Sequence, residues 1–234
     1  PENLYFRANG LLHRGMMDEA TAVFRETVKN DFLGRSQIIQ YLLGRADPLY
    51  SKSVQYGNTV NWRRSETLLH NFIQRQPFNY WAMKLLAEIY FRMEEFEKTV
   101  DVCHQISRLV GHDHALLPPE WFMINGMAFT EMGRSSAALD IFQQGAKYHP
   151  QTDFRIYRAY ARINEGKAAE VLLELENLSR EELSPELQIL LDHSRGRCLQ
   201  ALGRLEEAEQ AYRQVLKQDP YHRTVRRLLL ELRT

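Results

Sequence analysis

Two short stretches combine residue types that could do chemistry. His112-Asp113-His114 sets two imidazoles beside a carboxylate, the donor types a metal ion takes. A structural metal site wants about four ligands at suitable spacing. A polar loop between two helices accounts for this stretch, so no metal and no other cofactor is expected. Cys103-His104 places a thiol next to an imidazole, the pairing of a nucleophile with its base. Neighbouring residues on a helix point about 100° apart, so these two groups do not face each other. Cys103 also falls on an apolar stripe with Phe96, Val100 and Ile106, which makes it a core residue. The phosphate-loop, dinucleotide-loop, zinc-protease and nucleophile-elbow motifs are missing from the sequence. An enzyme is not expected.

The bulk numbers narrow the alternatives. Lys+Arg and Asp+Glu stand at 30 each among 234 residues. That balance removes the electrostatic case for nucleic acid or an anionic membrane as the main partner. Cys103 and Cys198 are far apart and lack CxxC spacing, so neither a disulfide scaffold nor a zinc site is expected. No apolar run is long enough to insert in a membrane. The chain opens at Pro1 without an initiator Met, which suggests a processed or excised piece. The expected compartment is cytoplasmic by default, and periplasmic if the piece comes from an envelope protein.

Apolar spacing predicts helices over 3–14, 17–30, 62–76, 78–92, 95–109, 120–132, 135–148, 153–164, 167–178, 185–202, 205–218 and 221–233. Segment 33–60 is irregular. Pro77, Pro150 and Pro185 mark helix boundaries, because proline cannot continue a hydrogen-bonded turn. The helices come in pairs with a fixed internal pattern. Gly196, Gly203, Ala208, Tyr212 and Pro220 repeat the spacing of Gly126, Gly133, Ala138, Phe142 and Pro150, and Gly15, Ala20 and Phe24 match again. Self-similarity at about 34 residues is the signature of a repeat array. One hairpin cannot bury both its faces, so neighbours stack, with small residues allowing close approach and aromatic rings filling the space between.

This pattern resembles the tetratricopeptide repeat. The clearest copies carry Leu86, Ala87, Tyr90 and Phe96, then Phe122, Gly126, Gly133, Ala138, Phe142 and Pro150, then Gly196, Leu199, Gly203, Ala208, Tyr212 and Pro220. The resemblance implies an all-α fold, a right-handed superhelical α-solenoid of about six helix-turn-helix repeats. As a single array, the units fall at 1–34, 46–79 with an extra segment 35–45, 80–111, 119–152, 153–184 and 185–220, with a capping helix at 221–233. It also implies a concave groove lined by the first helix of each pair. Carried over by register, that groove takes Tyr5, Asn9 and Leu12-His13, then Trp81, Lys84, Glu88, Phe91 and Arg92, then Met123, Met127 and Thr130, then Arg155, Arg158 and Arg162, and finally His193, Arg197 and Gln200. Some members of the family clamp a terminal carboxylate with Lys, Asn and Arg. Tyr5, Ser51 and Leu85 stand at those positions here, which disfavours that ligand.

The function expected from the resemblance is a non-catalytic adaptor or scaffold that binds a peptide or protein surface through the groove. The arginines of the fifth and sixth units suggest an acidic partner. An ordinary solvated helix face would explain the same charges. The alternative is a structural segment of a larger multi-subunit assembly, or of a bacterial export or envelope scaffold, that uses its convex face or its ends and can self-associate. Recognition of RNA is opposed by the charge balance and by the lack of a per-repeat base-reading pattern.

Overall fold

A computed structural model describes residues 61–75, 77 and 79–232, with isolated positions between 11 and 52. Asn9, most of the first unit and all of segment 33–60 except Lys52 lie outside the described residues. Regular structure among the described residues is entirely helical. No described helix is long and apolar enough to cross a membrane. The chain divides into two compact units, 1–121 and 122–234.

The N-terminal unit contains α1 (Trp62–Arg75), α2 (Tyr80–Arg92) and α3 (Phe96–Val110). The Asn79 side chain caps α2 by accepting from the Ala82 amide at 3.0 Å. Helix α2 buries Ala82, Met83, Leu86, Ala87, Ile89 and Tyr90. Val100, Cys103 and Ile106 on α3 are buried too, while His104 is exposed. The Cys103 thiol is fully buried and pushed far up by desolvation. A 3-10 turn, His114–Leu116, follows, and the His114 ring lies 6.4 Å from that of Trp121. Trp121 is buried and donates through its indole N–H to the Cys103 carbonyl at 2.8 Å.

The C-terminal unit takes the rest of α4 (Pro119–Glu131), then α5 (Ser135–Tyr148), α6 (Arg155–Ile163), α7 (Ala168–Glu176), α8 (Pro185–Ala201), α9 (Leu205–Gln218) and α10 (Arg223–Glu231). Ser184 caps α8 and Pro185 opens it, where the missing proline N–H has no helical partner to lose. The paired glycines and aromatics have a direct cause. A Cβ on Gly126 would stand 2.3 Å from Phe142, and one on Gly196 would stand 2.4 Å from Tyr212. Each first helix therefore lies directly against a ring of its partner. Helix α10 closes the core with Val225 and Leu228, and Leu229 and Leu232 pack at its edge.

The turns inside the described hairpins share a positive φ. Gly133, Gly166 and Gly203 have φ of 73°, 77° and 74°. In the α2–α3 hairpin a non-glycine residue, Glu94, takes the same conformation with φ 61°.

Candidate functional site

In the N-terminal unit α2 carries Trp81, Lys84 and Glu88 along one stripe, each half-buried, with Arg92 exposed at its end. The Lys84 ammonium lies 5.5 Å from the Trp81 ring centre and 3.4 Å from the Glu88 carboxylate. The stripe is thus already cross-linked by a cation–π contact and an i,i+4 ion pair. A separate hollow of about 240 Å³ opens beside His70, Met83, Tyr90 and Lys98, and none of the stripe residues lines it. The His70 imidazole and the Tyr90 hydroxyl meet there at 2.7 Å.

The C-terminal unit holds a larger cleft, about 530 Å³. Thr130 and Glu131 from α4, Ile163 and Asn164 at the end of α6, and Arg197, Gln200 and Ala201 from α8 line it, with Arg227 and Leu228 of α10 at one side. These positions follow from the turn glycines. Gly133, Gly166 and Gly203 each end a first helix in the same geometry, so the residues just before them face the same way.

A chain of polar contacts crosses the cleft floor. Arg197 donates from Nη2 to Asn164 Oδ1 at 2.9 Å and from Nη1 to the Tyr160 hydroxyl at 3.2 Å. The Tyr160 hydroxyl donates in turn to the Glu131 carboxylate. Burial pushes the Tyr160 phenol well up, and the negative charge of Glu131 adds to this, so the phenol keeps its proton. The Arg197 guanidinium and the Glu131 carboxylate, 4.0 Å apart, are therefore linked both directly and through one hydroxyl. Asn164 donates from Nδ2 to the Thr130 carbonyl at 3.0 Å, and Gln200 Oε1 accepts from the Tyr212 hydroxyl at 2.7 Å.

The other groove candidates fall in different places. Met123 and Met127 are half-buried, and Met127 packs against the core of the unit. His193 is 2% exposed and lies inside that core, not on the cleft. Its ring sits among Tyr160, Tyr212 and His222, with centroids 5.2, 6.2 and 5.1 Å away. Burial holds the His193 imidazole well below its ordinary range, with His222 and Arg197 adding repulsion, and its Nε2 has no hydrogen-bond partner.

Arg155, Arg158 and Arg162 stand on another face of α6 from Tyr160 and Asn164, and none of the three lines the cleft. Arg155 pairs with Asp153 at 2.8 Å, and Arg162 reaches both Glu170 and Glu174 of α7. The register carried over for this unit was displaced. The one that Gly166 sets brings Tyr160 and Asn164 to the cleft, beside Glu131 of the preceding unit. Gly166, matched to Gly133 and Gly203, was the signal that could have found them.

A sequence model described as tetratricopeptide repeat matches residues 193–222. No curated protein is significantly similar to this sequence. Among solved structures, a tetratricopeptide-repeat protein of Thermus thermophilus superposes with a TM-score of 0.56 at 16% identity, covering 78% of this chain and 95% of that one. YrrB, described as a tetratricopeptide-repeat protein with an unusual peptide-binding site, gives 0.46 at 14%, covering 82% and 96%. The tetratricopeptide-repeat domain of P58(IPK) gives 0.45 at 15%, covering 98% and 77%. Residues 193–222 thus match the tetratricopeptide repeat, and the chain has an all-α repeat fold like that of the Thermus thermophilus tetratricopeptide-repeat protein.

Proposed function

We propose that this chain is a non-catalytic protein-interaction module that receives a peptide or protein surface in the cleft of its C-terminal unit. The observation that carries this reading is the convergence of Glu131, Asn164, Arg197 and Gln200 on one cleft of about 530 Å³. That volume is within the range of built ligand sites, and its polar groups come from three helices held by a common core. Peptide binding by a structurally similar protein, as the description of YrrB states for that protein, is in keeping with it.

Ala201 gives a clean test, since it is exposed, lines the cleft and takes no part in the polar chain. Ala201→Trp should fill the cleft and leave the fold intact. Peptides selected from a phage-displayed library on the parent chain should lose binding to this variant while its helical circular dichroism stays unchanged. Undiminished binding by Ala201→Trp would remove the cleft from the proposal. The acidic partner expected from the arginines loses support where three of them have other engagements, while Arg158 stays exposed on α6. Arg155 and Arg162 are ion-paired, and Arg197 is tied to Glu131 through Tyr160.

A second reading, a segment of a larger assembly that joins through its end, is favoured by one feature. Leu230 of α10 is 67% exposed, and Tyr221 just before that helix is 54% exposed. Self-association through this end would appear as a mass that rises with concentration in sedimentation and is restored to the monomer value by Leu230→Glu.

A further inference from the structure

We infer that the N-terminal unit carries a second binding site, a hollow that takes one long cationic side chain, arginine or lysine, from a protein partner. The hollow of about 240 Å³ lies where α1 and α3 flank α2, and it shares no residue with the cleft of the C-terminal unit. On α2 it is lined by Met83, Leu86 and Tyr90. At 100° per residue these lie on the other side of the helix from Trp81, Lys84 and Glu88, so the hollow opens away from the stripe assigned to the groove. Ile73 of α1 and Val102 of α3 complete an apolar floor with Met83 and Leu86. The space is smaller than the cavities that enclose a whole small-molecule ligand, and it suits one long side chain.

Charge at the rim decides which side chain. Lys98, Asp101 and Gln105 stand at the mouth on one exposed face of α3. The Lys98 ammonium is already taken: it lies 2.5 Å from Glu95, 3.9 Å from Glu66 and 5.1 Å from the Tyr90 ring centre. Arg63 pairs with the same two carboxylates, at 2.5 Å from Glu95 and 3.0 Å from Glu66, so these two cations and two anions compensate one another. The Asp101 carboxylate has no ion pair or side-chain hydrogen bond among the described residues. It leaves one uncompensated negative charge above an apolar floor, and Gln105, one turn further on, adds a carbonyl acceptor. An arginine or lysine answers both parts, because its stem buries along apolar surface while its head reaches the carboxylate. A glutamate would meet Asp101 with like charge, and an aliphatic side chain would leave that charge without a partner. Asp101 is exposed, so the pair is modest in strength and weakens with salt.

Three capped peptides test this: acetyl-Gly-X-Gly-amide with arginine, norleucine or glutamate at X, so that only the side chain differs. Each is titrated into the full chain at equal low ionic strength, and the Met83 methyl and Gln105 side-chain amide signals are followed by NMR. The arginine peptide should shift both signals with the tightest dissociation constant of the three. Asp101→Asn, an exposed change that keeps the side chain's size, should weaken the arginine peptide about 2–5-fold and bring it to the level of the norleucine peptide. Gln105→Trp should cover the hollow and abolish the response, with helical circular dichroism unchanged. No shift with the arginine peptide, binding of the norleucine or glutamate peptide as tight as that of the arginine peptide, or an unchanged affinity in Asp101→Asn overturns the inference. The cleft is judged separately by Ala201→Trp, which should leave the Met83 and Gln105 responses as they are.

Discussion

The Tyr212 ring occupies the space that a side chain on Gly196 would need, with 2.4 Å between the ring and an added Cβ. Tyr212 is fully buried, and its hydroxyl is held by Gln200 at 2.7 Å, so the ring has little freedom to retreat. Gly196→Ala should therefore destabilise the chain by about 1–3 kcal/mol through overpacking, despite the better helix propensity of alanine. Gly196→Ala combined with Tyr212→Leu should lose less than the sum of the two single changes. Urea midpoints of the four proteins check this, and strict additivity would show that the ring does not set the requirement for glycine.

The same Gly–aromatic relation explains how much was legible beforehand. Gly126 with Phe142 and Gly196 with Tyr212 are packing pairs, so their spacing repeats in the sequence and the hairpins can be read from it. Cleft residues obey no such rule. Glu131 and Asn164 stand two residues before Gly133 and Gly166, whereas Arg197 stands six before Gly203, where the other units have Met127 and Tyr160, so no residue type repeats among them. Only the backbone of Gly166, shared with Gly133 and Gly203, marks their register. The arginine stripe of α6 has regular helical spacing and so looked like a binding face. Two of its three arginines are ion-paired, Arg155 to Asp153 and Arg162 to α7. His193 has the spacing of a groove residue as well, but the rings of Tyr160 and His222 cover it.

Glu94 holds a left-handed conformation that its repeat neighbours assign to glycine, with φ 61°. For a residue with a Cβ this conformation costs on the order of 1 kcal/mol. Glu94→Gly should stabilise the chain by up to about 0.5 kcal/mol, after the extra freedom glycine gives the unfolded state is subtracted. The urea midpoint should rise. An unchanged or lower midpoint would mean that contacts of the Glu94 side chain outweigh the strain.

His193 should make stability depend on pH on the acid side of neutrality. Burial lowers its folded-state pKa well below the ordinary value, and the unfolded value is about 6.5. Above about pH 6.5 the imidazole is neutral in both states, and nothing depends on pH through this group. Below it the unfolded chain binds a proton that the folded chain refuses, so stability falls as pH falls, by up to about 1.4 kcal/mol per unit. The window runs from there down to the depressed folded value. His193→Phe keeps a ring among Tyr160, Tyr212 and His222 and removes the titration. Urea midpoints at neutral pH and roughly one unit below 6.5 should converge for the variant more than for the parent. Equal slopes in the two proteins would assign the pH dependence elsewhere.

Tyr160 is the joint between Arg197 and Glu131, and its hydroxyl works in both directions, accepting from one and donating to the other. Tyr160→Phe preserves the buried ring and deletes only the joint. It leaves a carboxylate whose side chain is 8% exposed without that donor, and a guanidinium short of one acceptor. The expected loss is about 1–3 kcal/mol, since unsatisfied buried groups carry most of the penalty. Glu131→Gln on its own removes the charge that faces Arg197. With both changes present, the second should cost less than it does alone, because each has already broken the same chain of contacts. A double-mutant cycle on urea stability should then give a coupling of about 0.5 kcal/mol or more. A coupling near zero would mean that Tyr160 packs against Arg197 without linking it to Glu131.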